Sequence, residues 1–232
     1  MGSWRTSTLG GVTTAPASTA LSWIGPGRDD AARDAPTLVV LHGYGSSEAQ
    51  MIALSPLLGM FLGRSARVIA VRGEYPAPGR RGFSWYPGDR YSQPPDADIA
   101  AVADRVAAAV QEHSDRAVWL GFSQGMCTAI TVLRRRPELV SALVALSGFS
   151  FDAPQPGDPQ LARDAAAGRG VPCFYGRDPT DPAIPGFAAE WARRFLADHT
   201  ALEEHSYPGM GHSLSPVEIA DVVPFLRQHL AS

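Results

Sequence analysis

The sequence contains no lysine, so all 20 of its lysine-plus-arginine residues are arginine. This absence excludes a Walker A phosphate-binding loop, a Schiff-base intermediate and a Ser-Lys catalytic dyad, since each needs a lysine amine. Cysteine is also scarce: Cys127 and Cys173 are the two in the chain, and each lies in an apolar stretch without the spacing of a zinc site. We therefore expect buried structural thiols and no disulfide framework.

Long apolar runs and strong net charge are missing as well. No stretch is apolar for long enough to cross a membrane, and residues 1–20 lack the apolar core of a signal peptide. The formal net charge is −3, which does not indicate nucleic acid or an anionic membrane surface as a partner. We predict a cytoplasmic protein, monomeric or homodimeric, with a loose leader over residues 1–20.

Short apolar runs alternate with amphipathic helical patterns along the chain. Residues 37–41 form a continuous apolar run, as expected for a strand buried on both faces. The alternation predicts one α/β domain over residues 1–232, with a mostly parallel central sheet and helices on both faces. Residues 72–95 form a long irregular segment that contains Trp85, and so long a loop is typical of an active-site cover. Pro224 predicts a kink or break in the last helix.

The centre of the sequence carries a Gly-x-Ser-x-Gly pattern around Ser123. A β-prone run precedes the pattern and a helical run follows it, which is the context of a nucleophile elbow. Gly121 and Gly125 are needed there because a side chain at either position would collide with the neighbouring strand or helix. A chance match in a surface loop would lack that context, so we interpret Ser123 as a nucleophile.

A serine nucleophile needs a histidine base and a carboxylate that orients it, and in this strand–turn–helix context both follow the serine in the chain. His212 lies in a glycine-rich loop after the last predicted strand, where the base is expected. The loop after the preceding strand offers Asp181, which two nearby prolines would hold in place, with Asp178 as the alternative. Asp152, one strand earlier, is less favoured.

The negative charge that develops on the substrate carbonyl needs hydrogen-bond donors. One is expected to be the backbone N–H of Gln124, directly after the nucleophile, and the other the backbone N–H of Tyr44 in the loop after an early strand. His42, which begins that loop, could act as a second base. We favour a packed histidine that fixes the oxyanion loop.

The order of these motifs resembles the phospholipase/carboxylesterase family of the α/β-hydrolase fold, which includes acyl-protein thioesterases and small bacterial carboxylesterases. The resemblance covers about residues 37–230 and implies hydrolysis of esters or thioesters, without a metal or organic cofactor. It implies the triad Ser123, Asp181 and His212, and an acyl-binding groove bordered by Trp85. The segments that carry it are Leu41-His42-Gly43-Tyr44-Gly45, Trp85-Tyr86, Gly121-Phe122-Ser123-Gln124-Gly125, Ala145-Leu146-Ser147-Gly148, Asp181-Pro182-Ala183-Ile184-Pro185 and Gly211-His212.

The sequence departs from that family near the nucleophile. Met126 stands where a second glycine is common, and Tyr44 where a leucine is common. Larger groups at these positions predict a reshaped acyl pocket, so Met126 joins Trp85 as a predicted substrate-binding residue. Arg80 and Arg81 in the long loop could meet an acidic substrate group, although we favour a solvated loop face.

Three functions compete at this point. We predict a serine hydrolase that cleaves short to medium acyl esters or thioesters of small molecules through an acyl-enzyme. The alternative is a biosynthetic acyl transferase, cyclase or lyase with the same triad, because a fold does not determine a reaction. A non-catalytic binding protein is disfavoured, since binding alone requires none of the triad residues.

Overall fold

The computed structural model describes residues 21–24, 33–53, 66–88 and 94–230. The predicted leader lies outside the described residues. The strands are β1 (Leu21–Ile24), β2 (Thr37–Leu41), β3 (Arg67–Val71), β4 (Tyr75–Pro76), β5 (Phe83–Ser84), β6 (Ala117–Phe122), β7 (Val140–Leu146), β8 (Val171–Arg177) and β9 (Thr200–Ser206).

Seven of these strands form one sheet in the order β1-β3-β2-β6-β7-β8-β9. β1 pairs with β3 in the antiparallel direction, and every other neighbouring pair is parallel. In the centre of the sheet, Leu38 of β2 lies opposite Val118 of β6, and Leu120 of β6 lies opposite Val144 of β7. The predicted mostly parallel sheet is confirmed.

Helices cover both faces of this sheet. Alternate residues of β2 point to opposite faces: Val39 and Leu41 belong to one buried apolar cluster, and Leu38 and Val40 belong to the other. Both clusters are completed by helical side chains, which explains why β2 is apolar at each residue from 38 to 41. Within the described residues, the helices are α1 (Glu48–Ala53), α2 (Asp96–Gln111), α3 (Gln124–Arg135), α4 (Asp158–Ala166), α5 (Gly186–His199) and α6 (Pro216–Leu230), and a 3₁₀ turn spans Pro137–Leu139.

Two helical features differ from the sequence prediction. α6 continues through Pro224, whose ring lies on the exposed face, so the predicted break is absent. Glu218 of α6 is fully buried, although a glutamate on a helix is expected to face water. No helix within residues 33–53, 66–88 and 94–230 is long and apolar enough to span a membrane.

The segment predicted as a long irregular loop contains a small hairpin. β4 and β5 pair in the antiparallel direction, with Tyr75 opposite Ser84, and form a separate two-stranded sheet. Strands of two residues carry no periodic apolar pattern, so the sequence gives no signal for them. Because β2, β6, β7, β8 and β9 are parallel, the loops that follow them emerge at one edge of the sheet.

Candidate active site

Ser123 occupies a sharp turn between β6 and α3. Its backbone has φ 56° and ψ −120°, a conformation that non-glycine residues rarely adopt and that tertiary contacts must hold. The Ser123 N–H donates to the Leu146 carbonyl at 2.9 Å, which ties the turn to β7. A Cβ added at Gly125 would lie 2.2 Å from the Leu41 carbonyl oxygen, so the close approach to β2 requires glycine there. The predicted strand, turn and helix are all present.

The structure brings together the three side chains that the sequence predicted as a triad. His212 Nε2 lies 2.9 Å from Ser123 Oγ, and His212 Nδ1 lies 2.7 Å from Asp181 Oδ2. The Asp181 side chain has no exposed surface, and its other oxygen accepts the Ala183 N–H at 2.8 Å. Because a carboxylate can only accept, Nδ1 carries the proton and Nε2 is left to accept from the serine hydroxyl.

Asp178, the alternative carboxylate, has a different position. Its Oδ2 accepts the Gly211 N–H at 2.7 Å, one residue before His212, and its Oδ1 accepts the N–H and hydroxyl of Thr180, both at 2.8 Å. The Gly211 hydrogen bond, followed by those from Thr180, holds the pKa of Asp178 below its usual range. Asp178 therefore anchors the backbone beside His212. The Asp-x-Thr pattern of an Asx turn is the sequence signal that points to this role.

Asp152, the less favoured carboxylate, is exposed on the loop after β7.

His42 fastens the loop that follows β2. Its Nδ1 donates to the Gly43 carbonyl at 2.8 Å, and its Nε2 accepts the Gly73 N–H at 2.9 Å. Burial lowers the pKa of His42 to about 4, so the ring is neutral at pH 7. With both ring nitrogens engaged, His42 fits the packed role that we favoured over that of a second base.

Gln124 contributes a side-chain contact that the sequence did not indicate. Its Oε1 accepts the Trp85 N–H at 2.9 Å and the Ser84 hydroxyl at 3.2 Å. The first residue of α3 thereby holds β5 against the nucleophile turn. The predicted role of Gln124 concerned its backbone N–H alone, which lies at the amino end of α3 beside Ser123.

Trp85 and Met126, the predicted substrate-binding residues, lie in the interior of the protein. Both side chains have no exposed surface, so neither presents a face to a substrate in this structure. The Trp85 Nε1–H donates to the His42 carbonyl at 2.7 Å, and its ring lies 5.0 Å from the His42 ring. Met126 packs against Gly148, where an added Cβ would lie 2.7 Å from its sulfur. Trp85 thus packs against His42, and Met126 packs against Gly148 beside Ser123.

The predicted oxyanion loop and His212 both lie close to Ser123. A Cβ added at Gly43 would lie 3.3 Å from Ser123 Cβ and 3.1 Å from Phe122 Cδ1. The Phe122 ring lies 5.1 Å from the His212 ring, so it separates the two loops and packs against both. Tyr44, whose backbone N–H is the predicted second oxyanion donor, directly follows Gly43 in the chain.

The two cysteines are buried and free, as predicted. Burial raises the pKa of Cys127 and of Cys173 to about 12, so neither is a thiolate at neutral pH. Across the described ranges, no group of three or more His, Cys, Asp or Glu side chains is arranged to hold a metal ion.

A buried carboxylate, Glu218, lies near the carboxyl end of β8. A Cβ added at Gly176 would lie 2.7 Å from its Oε1. Within the part of the chain that the structure describes, neither carboxylate oxygen has a hydrogen-bond partner. Burial raises the pKa of Glu218 to about 7. The folded protein therefore holds a proton on this group at a pH where the unfolded chain has released it.

We expect Glu218→Gln to remove a pH dependence of stability. Between pH 4.5 and about 7 the unfolded chain loses the proton and the folded protein keeps it, so the wild-type free energy of unfolding falls as pH rises. The fall is about 2–3 kcal/mol, since one pKa unit corresponds to about 1.4 kcal/mol. Urea unfolding at pH 5 and pH 8 measures it.

The amide of this variant resembles the protonated carboxyl, so the two proteins should match at pH 5 and differ at pH 8. Glu112→Gln, at an exposed position, is the control and should follow the wild type at both values. Equal pH dependence in wild type and Glu218→Gln would contradict the prediction.

Comparison with known proteins gives the same family at the level of sequence. The model of the family described as Phospholipase/Carboxylesterase matches residues 28–230. Acyl-protein thioesterase 1 of Saccharomyces cerevisiae is 31% identical over 117 residues, which is 48% of this chain and 49% of that protein. Acyl-protein thioesterase 1 of Kluyveromyces lactis is 32% identical over 113 residues, 47% of this chain and 48% of that protein. The matched part of the chain thus spans about half the length of these curated relatives.

Solved structures extend the likeness over almost the whole chain. Esterase PE8 superposes with a TM-score of 0.71 at 22% identity, covering 92% of this chain and 100% of that one. A carboxylesterase from Mesorhizobium loti superposes with a TM-score of 0.69 at 22% identity, covering 95% of this chain and 97% of that one. At such identities the likeness establishes the fold, which is that of the α/β-hydrolases.

Proposed function

The chain belongs to the phospholipase/carboxylesterase family, and we therefore propose that it is a serine hydrolase that cleaves carboxylic esters or thioesters through an acyl-enzyme. The observation that carries this proposal is the continuous hydrogen-bonded series from Asp181 through His212 to Ser123, at 2.7 and 2.9 Å. A serine hydroxyl needs such a base to become a nucleophile at neutral pH.

In the proposed reaction, Ser123 Oγ attacks the carbonyl carbon as its proton passes to His212 Nε2. Asp181 stabilises the imidazolium that forms, and the backbone N–H groups of Tyr44 and Gln124 donate to the oxyanion. The imidazolium then protonates the leaving alcohol or thiol, which gives the acyl-enzyme. Water repeats these steps with His212 as its base and releases the carboxylic acid and free Ser123.

We infer the substrate class from the family and from the buried neighbours of the nucleophile. The relatives include proteins named as carboxylesterases and as acyl-protein thioesterases, so both oxygen esters and thioesters are proposed substrates. Met126 is fully buried and packs against Gly148, which itself lies beside the Ser123 carbonyl, and this filled space favours short to medium acyl groups.

A fluorophosphonate probe tests the proposal, because it phosphonylates only an activated serine. We expect one adduct, identified on Ser123 by peptide mass spectrometry, in the folded protein and none after denaturation. A parallel series of p-nitrophenyl esters from acetyl through octanoyl to palmitoyl should show turnover that peaks at short or medium acyl chains.

The two readouts separate the competing functions. An adduct on Ser123 without hydrolysis, together with product formation when an alcohol or amine acceptor is added, would replace the hydrolase by an acyl transferase. No adduct on the folded protein would contradict an activated serine altogether.

A further inference from the structure

The turn of the β4–β5 hairpin, residues 77–82, is fixed to the oxyanion loop. The Gly45 N–H donates to the Phe83 carbonyl at 2.8 Å, at the point where β5 begins. Near the start of the turn, the Tyr44 hydroxyl donates to the Pro78 carbonyl at 3.3 Å. A side chain on this turn therefore keeps a defined position relative to the proposed oxyanion donor Tyr44.

Arg80 extends from this turn across the oxyanion loop. A Cβ added at Gly45 would lie 3.0 Å from Arg80 Cγ and 3.2 Å from Arg80 Cβ, so the stem of the side chain lies directly on Gly45. Consecutive Cα atoms are about 3.8 Å apart, so Gly45 lies within about 8 Å of Gly43, the residue that contacts Ser123. The stem of Arg80 therefore lies on the loop that carries the proposed oxyanion donor Tyr44, at the rim of the proposed active site.

The charge at this rim is not neutralised by the protein. Arg80 and Arg81 are exposed and form no ion pair or side-chain hydrogen bond with the described residues. Every other arginine in the described ranges is engaged by another protein group. The neighbouring Arg72, for example, pairs with Glu48 at 3.7 Å and lies over the Phe83 ring at 4.7 Å.

We propose that Arg80 binds a carboxylate carried by the substrate, so that the preferred ester or thioester is anionic beyond the bond that is cleaved. This inference rests on the hydrolase function proposed above and adds the substrate class. A guanidinium binds a carboxylate through two parallel, charge-assisted hydrogen bonds. Because Gly45 supports the stem of Arg80, less side-chain freedom is lost on binding than for an unsupported arginine.

The sequence alone favoured a solvated face for both arginines, since adjacent charges in a loop commonly lie in water. The structure adds two facts that this interpretation lacked. The hairpin turn is hydrogen-bonded to the oxyanion loop, and Arg80, unlike Arg81, has its stem on Gly45. A charge that is unpaired, and whose side chain packs on the loop of the proposed oxyanion donor, is suited to binding a substrate anion.

Two matched pairs of esters test the proposal with the carboxylate on either side of the cleaved bond. 4-Acetoxybenzoate and its methyl ester place it on the leaving group, and the p-nitrophenyl esters of adipic acid and of methyl adipate place it on the acyl group. The quantity measured is the ratio of kcat/KM for the anionic ester to kcat/KM for the neutral ester. This ratio cancels any general change in activity between variants.

In at least one pair we expect Arg80→Gln to lower the ratio by about tenfold, the size of one charge-assisted interaction. Arg81→Gln, an equally exposed neighbour without the Gly45 contact, should change it by less than about twofold. The wild-type ratio should also fall as salt is raised, because salt screens an exposed charge.

The outcomes distinguish this inference from the function on which it rests. Hydrolysis of the neutral esters with a ratio that Arg80→Gln leaves unchanged in both pairs would overturn the inference and leave the hydrolase proposal standing. Equal losses in Arg80→Gln and Arg81→Gln would overturn the assignment to Arg80. Hydrolysis of none of the four esters, with no fluorophosphonate adduct, would overturn both proposals.

Discussion

Replacing Ser123 with alanine is expected to lower kcat for ester hydrolysis by at least about 10⁴-fold. The substitution removes the Oγ that attacks the carbonyl and leaves His212, Asp181 and the backbone donors in position. Any remaining activity would come from water attacking a substrate held by the oxyanion donors, which is a far slower reaction. Steady-state kinetics with a p-nitrophenyl ester measures the loss.

The loss must be separated from unfolding. Alanine at position 123 meets the same positive φ of 56° as serine, so the backbone strain is unchanged. The variant loses one partly buried hydrogen bond, and its free energy of unfolding should stay within about 1 kcal/mol of the wild type. Ser141→Ala, at the opposite edge of the sheet in β7, is the control and should retain activity. Undiminished ester cleavage by Ser123→Ala would refute the serine mechanism.

The elements that the sequence predicted well are those with a strong local pattern. The run before Ser123 is apolar and β-prone and the run after it is helical, and the structure has β6 and α3 there. The meeting of Ser123 with His212 is a consequence of topology: parallel strands end at one edge of the sheet, so the loops after them converge. Strand and loop order was therefore enough to predict that His212 lies beside Ser123.

The features that escaped prediction depend on contacts between distant segments. The β4–β5 hairpin exists because its residues pair with each other and with Ser46 in the oxyanion loop. No periodic pattern in the sequence indicates these pairings. Trp85 was expected to border the substrate groove because it is an aromatic residue in a loop. Its indole N–H instead reaches the His42 carbonyl, and a buried tryptophan with that donor satisfied belongs to the core.

The burial of Glu218 was not predicted for a similar reason. A glutamate beside an apolar helical stripe is expected to face water, since isolated carboxylates are costly to bury. Its position is set by the packing of α6 against the end of β8, where Gly176 leaves room for the carboxylate. Pairwise packing of this kind cannot be read from the sequence of either element alone.

Asp181→Asn is expected to lower kcat by about 10³–10⁴-fold. The carboxylate accepts a hydrogen bond from the Nδ1–H of His212 at 2.7 Å, which leaves Nε2 free to take the serine proton. An asparagine amide can instead donate to Nδ1, which shifts the ring proton to Nε2 and removes the acceptor that Ser123 needs. Steady-state kinetics over a range of pH, compared with the wild type, measures the loss.

Asp178→Asn provides the matched control, because both carboxylates lie in the loop after β8 and both hold the segment around His212. Asp178 bonds to the backbone N–H of Gly211 and to Thr180, and it does not touch the imidazole. An asparagine oxygen can keep one of those bonds, so we expect a loss of no more than about tenfold. A loss in Asp178→Asn equal to that in Asp181→Asn would mean that loop position, and not the tautomer of His212, limits the reaction.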